Sequence, residues 1–200
     1  MDHPGQVTLS RLPKSATGYA VEDIRVPADM IPAMRYNLSG KTGAVSIYRR
    51  VIAANRDRVV SDFAPHHLTT EQRHLRLIPP IHPAPEHNRL LPVWRAAGWL
   101  TGVLHAAFGP VDMFDPVAVF RTVDAVESFV DGHYAEQLDQ LLHRSKYLTQ
   151  YRLLDSCRAE ELMHRDYARA RLSAPGRAGR ICTSLVTTGS RPGVFLARRC

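Results

Sequence analysis

Cysteine is scarce in this chain: Cys157, Cys182 and Cys200 are the only three in 200 residues. They make no Cys-x-x-Cys pair and no disulfide framework, and a reducing compartment fits such usage. The first thirty residues lack an apolar h-region, so no secretory signal is expected and the default reading is cytoplasmic. Zinc-finger spacing and an RNA-binding signature are missing too. Nucleic acid is therefore set aside as a partner, although the net charge is +7, from 26 Lys+Arg against 19 Asp+Glu. That excess suits an anionic membrane surface. The Gly-rich piece at Gly40–Gly43 follows no strand, which removes a dinucleotide fingerprint. No internal repeat of domain size is present.

What remains is a globular composition, 44% apolar and 22% charged, long enough for one domain with a sizeable core. Residues 1–28 read as an irregular lead, 29–174 as a helical bundle, and 175–200 as a basic flexible tail. The first helix is expected from about Pro32 to Asn55, with an apolar face of Met34, Leu38, Ala44, Val45, Tyr48 and Ile52. Gly40 and Gly43 weaken it locally but permit close helix contact. The second helix is expected from about Ala64 to Ile78, stopped by Pro79-Pro80, and a Pro/His-rich connector follows.

The third segment, Leu90 to Phe108, is the most apolar. Its length brushes the lower limit for a membrane span, but Pro92, Gly98, Gly102 and Arg95 argue against spanning. Two readings stay open: an interfacial helix with Trp94 and Trp99 at headgroup level, or a core helix of a bundle. Asp115-Pro116 reads as an N-cap and first-turn proline of a fourth helix reaching His143. Its stripe is Phe120, Val123, Glu127, Val130, Tyr134 and Leu141. Ser145 is a candidate cap for a fifth helix ending near Ser173, with an inner stripe of Leu154, Cys157, Glu161, His164 and Ala168.

Two four-residue words stand out: Glu71-Gln72-Arg73-His74 and Glu161-Leu162-Met163-His164. Residues three apart share a helix face, so each word aims a carboxylate and an imidazole at one point. One such pair arises by chance in many helix-rich chains. Two, on helices with apolar stripes and joined by Glu127 on a third, are far more specific. Buried glutamates need cations, and iron suits a mixed carboxylate and imidazole set. Two Glu-x-x-His helices and two further Glu-bearing helices make the di-iron centre of ferritin-like bundles. The expected fold is thus all-α: a ferritin-like four-helix bundle with an additional apolar, membrane-interfacial or core, helix.

From Met34 to Ala170 the chain resembles the demethoxyubiquinone hydroxylase family, ferritin-like quinone monooxygenases of ubiquinone biosynthesis. The resemblance rests on residues 35–44, Ile47-Tyr48-Arg49, residues 70–75, Trp94 to Gly109, residues 125–134 and residues 161–166. It implies a di-iron site on position 41, Glu71, His74, Glu127, Glu161 and His164. It also implies O2-dependent hydroxylation of a polyprenylated benzoquinone with NADH as reductant. A quinone substrate, a ubiquinone-biosynthesis complex and a peripheral place on the cytoplasmic side of the inner or plasma membrane follow as expected partners and location. His133 and Tyr134 follow Glu127 as in the family. Tyr134 is read either as reaching the centre or as a core aromatic. No Rossmann unit is present, so NADH would bind an unrecognised surface or act through a partner.

One departure is chemical. The family's first-helix motif reads approximately Asp/Asn-His-Ala-Gly-Glu-x-Gly-Ala; here it reads Asn37-Leu38-Ser39-Gly40-Lys41-Thr42-Gly43-Ala44. The ligand Glu has become Lys41, and the histidine has become Leu38. The charge arithmetic favours an ammonium replacing one metal, or a single-metal site. Lys41 could instead lose its proton, be carbamylated, snorkel outward, or leave its role to Asp124 or Asp131. Those two acids are read first as solvated residues, and His67, one turn before Glu71, as a surface histidine ahead of one facing the site. Three functions compete: an iron-dependent quinone hydroxylase, a non-catalytic quinone- or lipid-binding scaffold, and an altered redox site using Tyr48 or Tyr134.

Overall fold

The computed structural model describes residues 25–54, 58–81, 89, 91–108 and 116–172. The expected N-terminal lead before residue 25, the Pro/His-rich connector, the Asp115 cap and the basic tail lie outside the described residues. Among those described there are five α-helices and no strand: α1 (Ile31–Ala54), α2 (Arg58–Ile81), α3 (Leu91–Phe108), α4 (Pro116–Leu142) and α5 (Leu148–Arg169). Short 3-10 turns at Ala28–Met30 and Ser145–Tyr147 lead into α1 and α5.

Two apolar clusters fix how the helices run. At one end Met30 and Met34 of α1 and its lead-in meet Ile81 of α2, Leu138 and Leu141 of α4, and Leu154 of α5. At the other, Tyr48 and Val51 meet Val60, Phe63, Phe120, Val123 and Ala168. Hence α1 and α5 run one way and α2 and α4 the other. Because α2 and α4 point the same way, the chain must be carried back between them, and α3 makes that crossover. It lies along the outside of α1, where Gly98 approaches Gly43 and Ser46 and Trp94 packs with Tyr36 and Phe129. A side chain at Gly98 would meet Ser46 Cβ at 3.0 Å and the Gly43 carbonyl carbon at 3.1 Å, so glycine sets this spacing. The outer face of α3 exposes Val93, Trp99 and Leu100. No described helix is long and apolar enough to cross a membrane.

Three expectations need correction. The second helix does not start near Ala64 or stop before Pro79: it begins at Arg58 and runs through both prolines to Ile81. Prolines remove only their own N–H groups, and the carbonyls one turn back lie on half-exposed and exposed residues, 75 and 76, within reach of water. Tertiary contact holds the end, since Ile81 is buried and its carbonyl accepts from Val26 N–H at 3.1 Å. Ser145 does not cap α5; it opens the 3-10 turn, and α5 starts at Leu148 without a side-chain cap. Ile52, placed on the inner face of α1, is exposed.

Candidate metal centre

Between the two apolar clusters lies a layer of buried ionisable groups: Lys41, Glu71, His74, Glu127, Glu161 and His164. Each reaches it from an inner helical stripe. The α4 stripe buries Phe120, Val123, Glu127 and Tyr134, and the α5 stripe buries Leu154, Cys157, Glu161, His164 and Ala168, as the spacing predicts. The apolar ends exclude water from the layer and so make every charge in it consequential.

Glu71, Glu127, Glu161 and His164 each present one ligand atom, and these atoms lie within 4.8 Å of one another. Glu71 Oε2, Glu127 Oε2, Glu161 Oε2 and His164 Nδ1 are buried without a hydrogen bond. Orphaned lone pairs of this kind are costly in a dry interior unless a cation satisfies them. The donor set therefore fits a metal ion.

Lys41 does not snorkel. Its Nζ is buried between two carboxylates, donating to Glu71 Oε1 at 3.3 Å and to Glu161 Oε1. Burial alone would push its pKa down, but Glu161 and Glu71 outweigh that and hold it well above the ordinary lysine value. It stays an ammonium. The carboxylates split accordingly. Glu161 is held well below its ordinary range, because Lys41, His164 and His74 together overcome burial. Glu127 is pushed well above its range by burial and by the Glu161 charge, and Glu71 is raised for the same two reasons.

His74 sits at the edge of this group. Its Nε2 is 2.8 Å from Glu160 Oε2, a carboxylate that Arg73 also pairs. Its Nδ1 lies 2.8 Å from Glu161 Oε1 but is not aligned to hydrogen-bond it. Burial works against protonating His74, but contacts with Cys157, Glu160 and Glu161 raise its pKa well above the ordinary value. Glu160 escaped the sequence reading; the only signal was a carboxylate directly beside the second Glu-x-x-His word. Tyr134 belongs to the centre's surroundings: it is 1% exposed, and its hydroxyl is buried without a hydrogen bond. His133 turns elsewhere, bonding the Phe129 carbonyl at 3.0 Å and packing on Tyr36.

Asp124 and Asp131 do not replace the missing glutamate. Asp124 pairs with Arg169 at 2.8 Å, and Asp131 with Arg158 at 2.6 Å and Arg165 at 3.3 Å, all along α5's flank. His67 is not a surface histidine: it is 2% exposed and stacks on His164 with ring centroids 3.5 Å apart. Its Nδ1 is 3.1 Å from the Tyr48 hydroxyl. Burial, then the neighbouring His164 and His66, lower its pKa to about 2. The clue in the sequence was its position one turn before Glu71, on the same helix face.

Comparison with known proteins agrees with this architecture. The profile of the family described as "Ubiquinone biosynthesis protein COQ7" matches residues 29–197. A protein named 3-demethoxyubiquinol 3-hydroxylase, from Rhodospirillum rubrum, is 27% identical over 207 aligned residues. The alignment covers 98% of this chain and 93% of that relative.

Proposed function

The chain belongs to the COQ7 family of ubiquinone biosynthesis proteins, and from that membership we propose that it hydroxylates the ring of a polyprenylated benzoquinone, using O2 and iron. The observation that carries this reading is the convergence of Glu71, Glu127, Glu161 and His164 with unsatisfied buried lone pairs. Those four residues would hold the iron, and His74 lies at their edge. When bound, iron supplies the electrons that allow O2 to attack an aromatic C–H.

The rest falls to the protein's own groups. The apolar ends keep water from the centre. Lys41 fixes the orientation of Glu71 and Glu161 by pairing with both carboxylates at once. Stacking on His67 fixes the plane of the His164 ring, and Glu160 fixes that of His74. The Tyr134 hydroxyl, buried without a hydrogen-bond partner, would donate to the centre or its substrate in this reading. The exposed apolar residues of α3, Val93, Trp99 and Leu100, together with the net positive charge, suit a peripheral place on an anionic membrane, where a lipid quinone would enter. NADH is the expected source of reducing power, delivered directly or through a partner.

One observation favours a second reading. An ammonium seated between two of the carboxylates suits a protein that binds quinone or scaffolds a biosynthetic complex without turning over. Anaerobically purified, iron-loaded protein given a demethoxyquinone, NADH and O2 separates the two. The hydroxylase reading expects hydroxylated quinone, lost in Glu127→Ala and His164→Ala. Quinone retention without product, in iron-loaded protein, would overturn it in favour of binding alone.

A further inference from the structure

We propose that the centre is built for a single divalent cation, seated on Glu71, Glu127, Glu161 and His164, with the Lys41 ammonium filling the half of the centre that faces His74. The inference deepens the metal-dependent reading above and rests on it.

The two halves of the layer differ. On one side, four donors from α2, α4 and α5 lie within 4.8 Å of one another, and His74 is not among them. Each of the four keeps an atom with no hydrogen bond: Glu71 Oε2, Glu127 Oε2, Glu161 Oε2 and His164 Nδ1. On the other side, Lys41 Nζ takes Oε1 of Glu71 and Oε1 of Glu161. The ammonium straddles the Glu71 carboxylate, 3.2 Å from Oε2 as well as 3.3 Å from Oε1, and on Glu161 it holds Oε1 and leaves Oε2 free of hydrogen bonds. An ammonium paired with both carboxylates fills the space that a second cation bridging them would need.

Charge points the same way. Three carboxylates, one ammonium and one divalent ion sum to zero. A second divalent ion would leave two uncompensated positive charges in a water-poor layer, which is strongly unfavourable. Three carboxylates and one imidazole form a predominantly hard donor set, suited to Fe(II) or Mn(II) more than to a thiolate-preferring ion.

The test counts metal rather than activity. Protein stripped with chelator is reloaded anaerobically with Fe(II), desalted and measured for iron per chain. One ion per chain is expected. Lys41→Glu is expected to raise this to two, His74→Ala to keep one, and His164→Ala to lose it. A second readout needs no variant: the nitric oxide adduct of an isolated Fe(II) gives a half-integer-spin paramagnetic signal, which coupling to a second iron removes. Circular dichroism establishes that each variant is folded. Two ions in the unaltered protein would overturn the inference and leave the metal-dependent reading standing; zero would overturn both. Loss of the ion in folded His74→Ala, as complete as in His164→Ala, would overturn the placement. One ion without quinone turnover would support the centre and remove the hydroxylase reading.

Discussion

Acidifying the metal-free protein from pH 7 to pH 5 is expected to cost about 2 kcal/mol through His67 alone. The imidazole is 2% exposed, stacked on His164 and packed on Phe63, and its Nδ1 lies 3.1 Å from the Tyr48 hydroxyl. Its folded pKa is about 2 against 6.5 for an unburied histidine. Between those values the unfolded chain carries a proton that the folded chain does not. The contribution is therefore intact above the unfolded value and is lost as pH falls below it. The figure depends little on the folded pKa, because at pH 5 the folded ring is neutral for any value well below that. Glu71 and Glu127 act with the opposite sign, since their raised pKa values favour proton uptake by the folded state. The His67 share must therefore be read as a difference. Urea unfolding of chelated wild type and His67→Phe, followed by circular dichroism at both pH values, isolates it. The stability gap between the two proteins is expected to shift by about 2 kcal/mol in the variant's favour on going to pH 5. Parallel pH dependences would show that His67 is accessible to protons, and the burial argument would fail.

Two further outcomes can be measured on the same material. Gly98→Ala drives a Cβ into the Gly43 backbone and Ser46, so it is expected to cost about 1–3 kcal/mol by overpacking α1 against α3. Gly40→Ala meets nothing within 4 Å and is expected to add about 0.5–1 kcal/mol through helix propensity; the reverse order in urea midpoints would refute the packing of α3 on α1. Asp124→Asn and Asp131→Asn remove only flank pairings with α5 arginines. They are expected to leave iron content unchanged and to alter stability by at most about 1 kcal/mol each; a fall in bound iron would return them to the centre.

The helices, their inner stripes and the five buried glutamates and histidines that meet between them, Glu71, His74, Glu127, Glu161 and His164, were legible in the linear pattern. Helical periodicity is a local property: the spacing of Glu71 to His74 and Glu161 to His164 survives any arrangement of the helices in space, and so does the alternation that places Glu127 with Val123 and Tyr134. Lys41 could be located by resemblance and its conflict stated by counting charge. Three of the ways offered to resolve that conflict needed three dimensions. Whether a lysine leaves a dry layer, loses its proton or stays as an ammonium depends on which carboxylates face it, and those come from α2 and α5, 30 and 120 residues away. Asp124 and Asp131 had helical spacing compatible with the centre, but α5 offered them arginines first. His67 lay on the face of Glu71 and was still read as exposed, because its burial comes from Tyr48, Phe63 and His164 on three different helical segments. Likewise Pro79-Pro80 carries a strong local stop signal, overridden by the contacts of Ile81. Local covalent and helical geometry thus determined which groups point inward; only the packing of α1 against α2 and α5 decided which charges meet there, because pairing energy in a dry core depends on distances the chain order does not contain.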